Sequence, residues 1–267
     1  MPFTRAGDLH IMWAPEVETM AGHSHWARIK RAKAVTDARR GRAWSKLARA
    51  ITVAARAGGD PDANLALRSA IEAAKAENMP KETIERAIRK GTGELEAESI
   101  EEIVYEGYGP GGAALLVSVL TDNRNRTAGE IRKLFERHDA SLGASGSVAW
   151  LFQKRGLFVI PATAADEDTL TSIALEHGAD DLKTTGGAFE LSCDPSVFEP
   201  MRRALAAAGI AAESAEVTMV PVSSVTVTGE KARLLLTLIE NLEDHDDVQK
   251  VYCNYEIPEE EMARLAR

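Results

Sequence analysis

Cysteine is nearly absent from this chain: Cys193 and Cys253, sixty residues apart, are the two among 267 residues. They can build neither a disulfide framework nor a metal knuckle, and read as reduced thiols packed in or near strands. Long apolar runs are missing too, and no window approaches the 18 or more residues of a membrane span. Residues 1–19 hold one Arg, three acids and no apolar stretch, unlike a secretory signal or an Arg-rich transit peptide, so the expected address is cytoplasmic. His23 and His25 flank Ser24 with no Cys or carboxylate at ligand spacing. No Ser-His-Asp, Cys-His or zinc-hydrolase constellation occurs, and the chain reads as a non-enzyme with no cofactor, no metal and no small-molecule substrate.

The most informative shortage is of acid. Between Arg28 and Arg56 ten Lys or Arg stand against Asp37 alone. Residues 21–93 carry 16 cations and 7 acids, net +9, whereas residues 94–267 carry 15 and 31, net −16. A helix built only for solubility would interleave Glu with its Lys and Arg. An uninterrupted cationic end is the electrostatic footprint of nucleic-acid contact, with a plain solvated surface as the alternative.

The cations are also ordered. At about 100° per residue, Arg39, Arg42, Lys46, Arg49 and Arg56 share one side of a helix predicted from about Asp37 to Ala57. Trp44, Leu47, Ile51 and Ala55 share the other, and Gly58-Gly59-Asp60-Pro61 stops the helix. Trp44 belongs to the apolar stripe, whereas Trp26, in the basic arm, can stack on a base. Leu65 to Ala74, closed by Asn78, and Lys81 to Lys90, opened by Pro80, complete a small three-helix domain.

From Glu94 the pattern changes. Gly107 to Gly112 precedes the apolar run Ala113 to Leu120, so it reads as a turn into a strand and not as a phosphate loop. Thr127 and Glu130 suggest a capping box for a helix to about His138. Arg124 and Arg126 lie at this strand-to-helix junction, where they can reach an anion or pair with neighbouring acids. Strands Val148 to Phe152 and Leu157 to Ile160 are expected around a turn at Lys154-Arg155-Gly156. Helices over 166–177, 197–208 and 230–242 then alternate with strands near 181–182, 188–191, 216–220, 224–227 and 248–255, as in an α/β sandwich. The acidic turn Glu243-Asp244-His245-Asp246-Asp247 fits no calcium loop and reads as a solvated connection.

Several segments resemble the YebC family, also called PmpR: Met20 to Trp26, Asp37 to Arg42, Asn78 to Pro80, Tyr105 to Gly112, Thr121 to Thr127 and Gly143 to Trp150. The likeness runs from Met20 to the end, so residues 1–19 are expected to be an extension outside the fold, with Met20 as the native start. It implies a mixed α and β, multidomain protein. An N-terminal three-helix domain (20–93) would be followed by two α/β sandwich domains, 94–147 plus 222–267, with 148–221 inserted. It also implies a DNA-binding transcriptional regulator. The alternative, from relatives that include a mitochondrial translational activator of cytochrome oxidase subunit one, is a translation factor on the ribosome that binds ribosomal RNA and relieves stalling on proline-rich nascent chains. The candidate nucleic-acid-binding residues are Trp26, Arg28, Lys30, Arg31, Lys33, Arg39, Arg42, Lys46, Arg49, Arg124 and Arg126. Partners are then promoter DNA or ribosomal RNA, with no membrane.

Overall fold

The computed structural model of the protein describes residues 19–21, 37–96, 99–185 and 187–265. The chain is mixed helix and sheet, with a helical N-terminal region followed by sheet domains. Helices α1 (Asp37–Ala55), α2 (Leu65–Ala76) and α3 (Lys81–Gly91) close on a core of Ile51, Ala55, Leu67, Ile71, Ala74, Met79, Ile84 and Ala87. Each stop has a local cause. Asn78 takes the left-handed conformation (φ 55°) that Asn tolerates after α2, and Pro80 caps α3. Gly91 lets α3 lie against α1, because a Cβ there would stand 2.3 Å from the Thr52 carbonyl oxygen.

Next come strands β2 (Glu101–Tyr108), β3 (Ala114–Thr121) and β4 (Ser141–Leu142), with α4 (Arg124–Arg137) between β3 and β4. The glycine-rich stretch is a turn, as expected, with Gly111 and Gly112 both at φ 80°. After β4 the chain leaves this sheet for β5 (Phe152–Pro161), α5 (Glu167–His177), β6 (Ala179–Thr185), β7 (Ala188–Cys193), α6 (Phe198–Ala207) and β8 (Ser214–Pro221). These strands form an antiparallel sheet of order β6-β7-β5-β8, with α5 and α6 packed on Phe158, Ile160, Phe189 and Leu191. The chain then returns through β9 (Val225–Thr226), α7 (Gly229–Asp244), β10 (Val248–Cys253), β11 (Tyr255–Pro258) and α8 (Glu259–Leu265). Strand β10 pairs with β3, giving β10-β3-β2-β4, and β11 lies between β9 and β1 (Thr19–Ala21) in a third small sheet. Helices α4 and α7 bury Ile131, Phe135, Leu235, Leu238 and Leu242 against Leu115, Val117 and Val119.

Four sequence expectations are corrected. Lys154-Arg155-Gly156 is no hairpin turn: β5 runs straight through it, and Gly156 is there because a Cβ would lie 2.6 Å from the Phe198 ring and 2.8 Å from the Cys193 sulfur. The cap of α4 is Asn123, whose side chain accepts from the Arg126 amide, while Thr127 is buried inside the helix. The strand expected over 248–255 divides at Asn254, whose Oδ1 accepts from the Ala114 amide at 2.7 Å and lets the chain change sheets. The acidic turn is not uniformly solvated, because Asp247 is 1% exposed.

Candidate nucleic-acid interface

Helix α1 presents the two faces its periodicity predicts. Ile51 and Ala55 are buried, and Trp44 packs on the same core while its indole N–H donates to the Glu77 carbonyl at 2.9 Å. On the opposite side Lys46 donates to the Glu243 carbonyl, and Arg49 Nη1 donates to the Asp246 carbonyl (2.8 Å) and to Asp247 Oδ1 (2.9 Å). The acidic loop at the end of α7 therefore seats itself on the basic face of α1. Arg42 stays exposed at the mouth of the resulting cleft of about 490 Å³, whose other walls include Arg126, Glu130, Asp244 and His245.

The centre of this junction is the Asp247 carboxylate. Arg126 Nη2 reaches its Oδ2 at 2.8 Å, with Thr127 Oγ1 at 2.7 Å and Thr121 Oγ1 at 3.1 Å. The two hydroxyls are 2.8 Å apart. Burial pushes the carboxyl up, but hydrogen bonds from Thr127 and Arg126, the Arg49 charge and the Thr121 hydroxyl outweigh it, and the group is held below its ordinary range. The arrangement is how a protein binds an oxyanion, with guanidinium and hydroxyl donors converging on one pair of oxygens.

Of the candidates from sequence, Lys46, Arg49 and Arg126 meet at this cleft with Arg42 at its edge. Arg126 also pairs with Asp122 at 2.9 Å, so the acid-pairing alternative holds for it. Arg124 is exposed and makes no ion pair among the described residues. Arg39 lies in the first turn of α1. Trp26, Arg28, Lys30, Arg31 and Lys33 fall outside the described residues. Sequence reasoning missed Asp247, Thr121 and Thr127, because nothing in the run Glu243 to Asp247 marks which acid turns inward.

Comparison with known proteins adds a second line. The model of the TACO1/YebC N-terminal domain matches residues 24–94, and that of the TACO1/YebC second and third domain matches 100–255. The chain belongs to the TACO1/YebC family. A "Probable transcriptional regulatory protein" of Desulfatibacillum aliphaticivorans is 52% identical over 242 residues, covering 90% of this chain and 98% of that one. A protein of the same name from Geobacter sulfurreducens is 51% identical over 247 residues, 92% of this chain and all of its own. The crystal structure of a conserved hypothetical protein from Aquifex aeolicus superposes with a TM-score of 0.77 at 46% identity, covering 88% of this chain and 98% of that one. The family resemblance read from the motifs is thus established, and so is its architecture of helical region followed by sheet domains.

Other chemistry at the junction is weak. Glu130, His245 and Asp247 offer ligand atoms within 4.8 Å of one another, yet two guanidiniums already occupy the Asp247 oxygens and oppose a cation. The Asp247 amide donates to His245 Nδ1, which leaves the proton on Nε2, facing Glu130 at 3.0 Å. Burial pushes the thiols of Cys193 and Cys253 up to about 11 and about 12, so neither is a ready nucleophile. Among the described residues no helix is long and apolar enough to cross a membrane.

Proposed function

We propose that this protein is a non-enzymatic, cytoplasmic regulator of gene expression that binds nucleic acid, acting as a transcriptional regulator on DNA. The observation that carries the reading is charge polarity, net +9 over residues 21–93 against −16 over 94–267. The names of the Desulfatibacillum and Geobacter relatives support it. Arg39, Arg42, Lys46 and Arg49 would supply phosphate contacts together with the arm that bears Trp26, Arg28, Lys30, Arg31 and Lys33, and Arg124 and Arg126 would flank them. Organisation as a basic domain (20–93), a middle domain (94–147 plus 222–267) and an insert (148–221) fits this division of labour. It is supported by the way the chain leaves the β2-β3-β4 sheet and returns to it through β10.

One observation favours a second reading. The cationic side of α1 holds Arg and Lys but neither Asn nor Gln, the residues that pair with adenine edges, so it is suited to backbones and to structured RNA as well as to duplex DNA. Cross-linking the tagged protein in cells and sequencing both DNA and RNA decides between them, with the Arg42→Glu variant as control. Discrete promoter peaks lost in the variant establish the transcriptional reading, and a single ribosomal RNA site would replace it with translation. In vitro, neutralising about six phosphates of duplex DNA gives a slope of log K against log salt near −5. A flat salt response would refute phosphate contact.

A further inference from the structure

Outside the basic face of α1, the loop Gly143 to Trp150 is accounted for by the fold itself. It is built around the buried Glu106 carboxylate, which accepts from three of the loop's amides, Gly146 (2.6 Å), Val148 (2.8 Å) and Ala149 (2.8 Å). Burial raises the Glu106 carboxyl, and these three amides more than reverse it. Helix α4 has no such internal account. It carries Arg124, Arg126, Arg132, Lys133 and Arg137 against Glu130 and Glu136, net +3 inside a part of the chain that totals −16. Arg126 is held by Asp247 and Asp122, whereas Arg132, Lys133 and Arg137 are exposed and make no ion pair among the described residues.

The same helix contains a glycine that the fold does not explain. Glycine costs a helix interior stability and is normally kept for a positive φ or a close neighbour. Gly91, Gly107 and Gly156 each have such a neighbour, at 2.3, 2.5 and 2.6 Å from where a Cβ would stand. Gly129, in the middle of α4, has neither: its φ is not positive, and a Cβ would meet no atom within 4 Å. Gly41, which precedes Arg42 of the cleft, shares that open space. Backbone left bare toward the outside, at a cost to the helix, points to something beyond the fold that comes close.

The residues around Gly129 select the partner. Neighbours on a helix surface stand three and four positions apart, and for Gly129 these are Asn125, Arg126, Arg132 and Lys133. At about 100° per residue they lie on the side opposite the core residues Ile131 and Phe135. Glu130 is turned aside to His245 at 3.0 Å, and the acid on the outer side is Glu136, two turns beyond. Three cations and an amide around bare backbone suit a phosphodiester. A compact anion can settle against Gly129, where a Cβ would hold it off, within reach of guanidinium and ammonium donors. Arg126 also lines the cleft with Arg42 and Arg49, so this face continues the α1 surface. Arg137, eleven residues past Arg126, extends it to about 16 Å, about five nucleotide steps along one strand of a duplex.

We propose that the outer face of α4 is a second backbone-contact surface for nucleic acid, with a phosphate seated over Gly129 between Arg132 and Lys133. The inference rests on the nucleic-acid reading above and adds a site to it. The test measures binding of the full chain to duplex DNA and duplex RNA of about 16 base pairs across a salt series, with urea unfolding of each variant as the check on the fold. Arg132→Gln with Lys133→Gln should make the slope of log K against log salt shallower by about two on the duplex that binds, about one for each lost phosphate contact. Lys231→Gln with Arg233→Gln also removes two cations, taking the net charge from −9 to −11, but at the opposite end of α7 from the cleft. That control should keep the wild-type slope. Gly129→Ala should raise the urea midpoint, because alanine is the better helix former and its methyl meets nothing. It should nevertheless weaken duplex binding by roughly threefold or more, as the methyl holds the phosphate off its donors. An α4 variant with the wild-type slope would overturn the site and assign the charge of α4 to an acidic protein partner. An equal change of slope in the α7 control would overturn it as well, as would Gly129→Ala binding as tightly as wild type. Wild-type protein that binds neither duplex would remove the nucleic-acid reading itself, whereas loss with Arg42→Glu and none with the α4 variants would spare that reading and remove the α4 site.

Discussion

Two carboxylates, Asp247 and Glu106, are buried and ionised, and each organises a different part of the surface. Replacing Asp247 by Asn keeps its shape but removes the charge that Arg49 and Arg126 face and gives the two threonine hydroxyls a poorer acceptor. Breaking a buried pair from one side typically costs 3–5 kcal/mol. Both arginines are partly solvated here, so about 2 kcal/mol is expected, read as a lower midpoint in urea. An unchanged midpoint would show that the cleft contributes nothing to folding. Glu106 makes a prediction about pH. Its folded pKa is depressed, so its contribution is complete above the unfolded value of about 4.3 and is lost as pH falls through the lower folded value. Glu106→Gln should therefore be destabilised at pH 7 by about 1–3 kcal/mol, the cost of weakening its bonds to three amides. The gap from wild type should narrow toward pH 3, and a constant gap would refute the linkage.

At the scale of elements, what was legible in the sequence was whatever periodicity and capping dictate, and what was hidden was long-range contact. The α1 stripe of Trp44, Leu47, Ile51 and Ala55, the stop at Asn78 and the start at Pro80 follow from local rules, and all three helices lie where those rules place them. The misread turn at Gly156 shows the limit. Glycine there reports the approach of Phe198, forty-two residues away in sequence, and no local window contains that information. The basic face of α1 was legible in the same way, but its engagement by the loop after α7 was not, since Arg49 and Asp247 are 198 positions apart. Gly91 carries a test of the same kind. It reads as a helix stop, yet a Cβ would meet the Thr52 carbonyl oxygen at 2.3 Å and the Ala55 methyl at 2.5 Å. Gly91→Ala should therefore force α3 away from α1 and destabilise the helical region by about 1–3 kcal/mol despite alanine's better helix propensity. Hydrogen exchange should show protection lost across α1 and α3 with the sheets unaffected. A stabilised variant would mean that propensity, not the contact, decides.

For the whole molecule, the question is why a cationic end is joined to so acidic a remainder. The acidic loop places Asp244, Asp246 and Asp247 against the side of α1 that carries Arg42, Lys46 and Arg49. On the proposed reading, phosphate arriving at α1 would compete with carboxylates already on that face, so weak, indiscriminate contacts would be penalised more than a ligand that also engages Arg42 and the basic arm. Asp247 is part of the fold and a poor place to test this. Asp244 and Asp246 lie at the mouth of the cleft, and changing both to Asn moves the net charge from −9 to −7 with little change in shape. The double variant should bind random duplex DNA several-fold more tightly at about 50 mM salt. At 1 M, where the screening length falls to about 3 Å, the difference should vanish. The variant's plot of log K against log salt should therefore be the steeper of the two, the lines converging toward high salt. Equal low-salt affinity of variant and wild type would show that the acidic loop positions α1 without restraining it, and the polarity of the chain would then need another explanation.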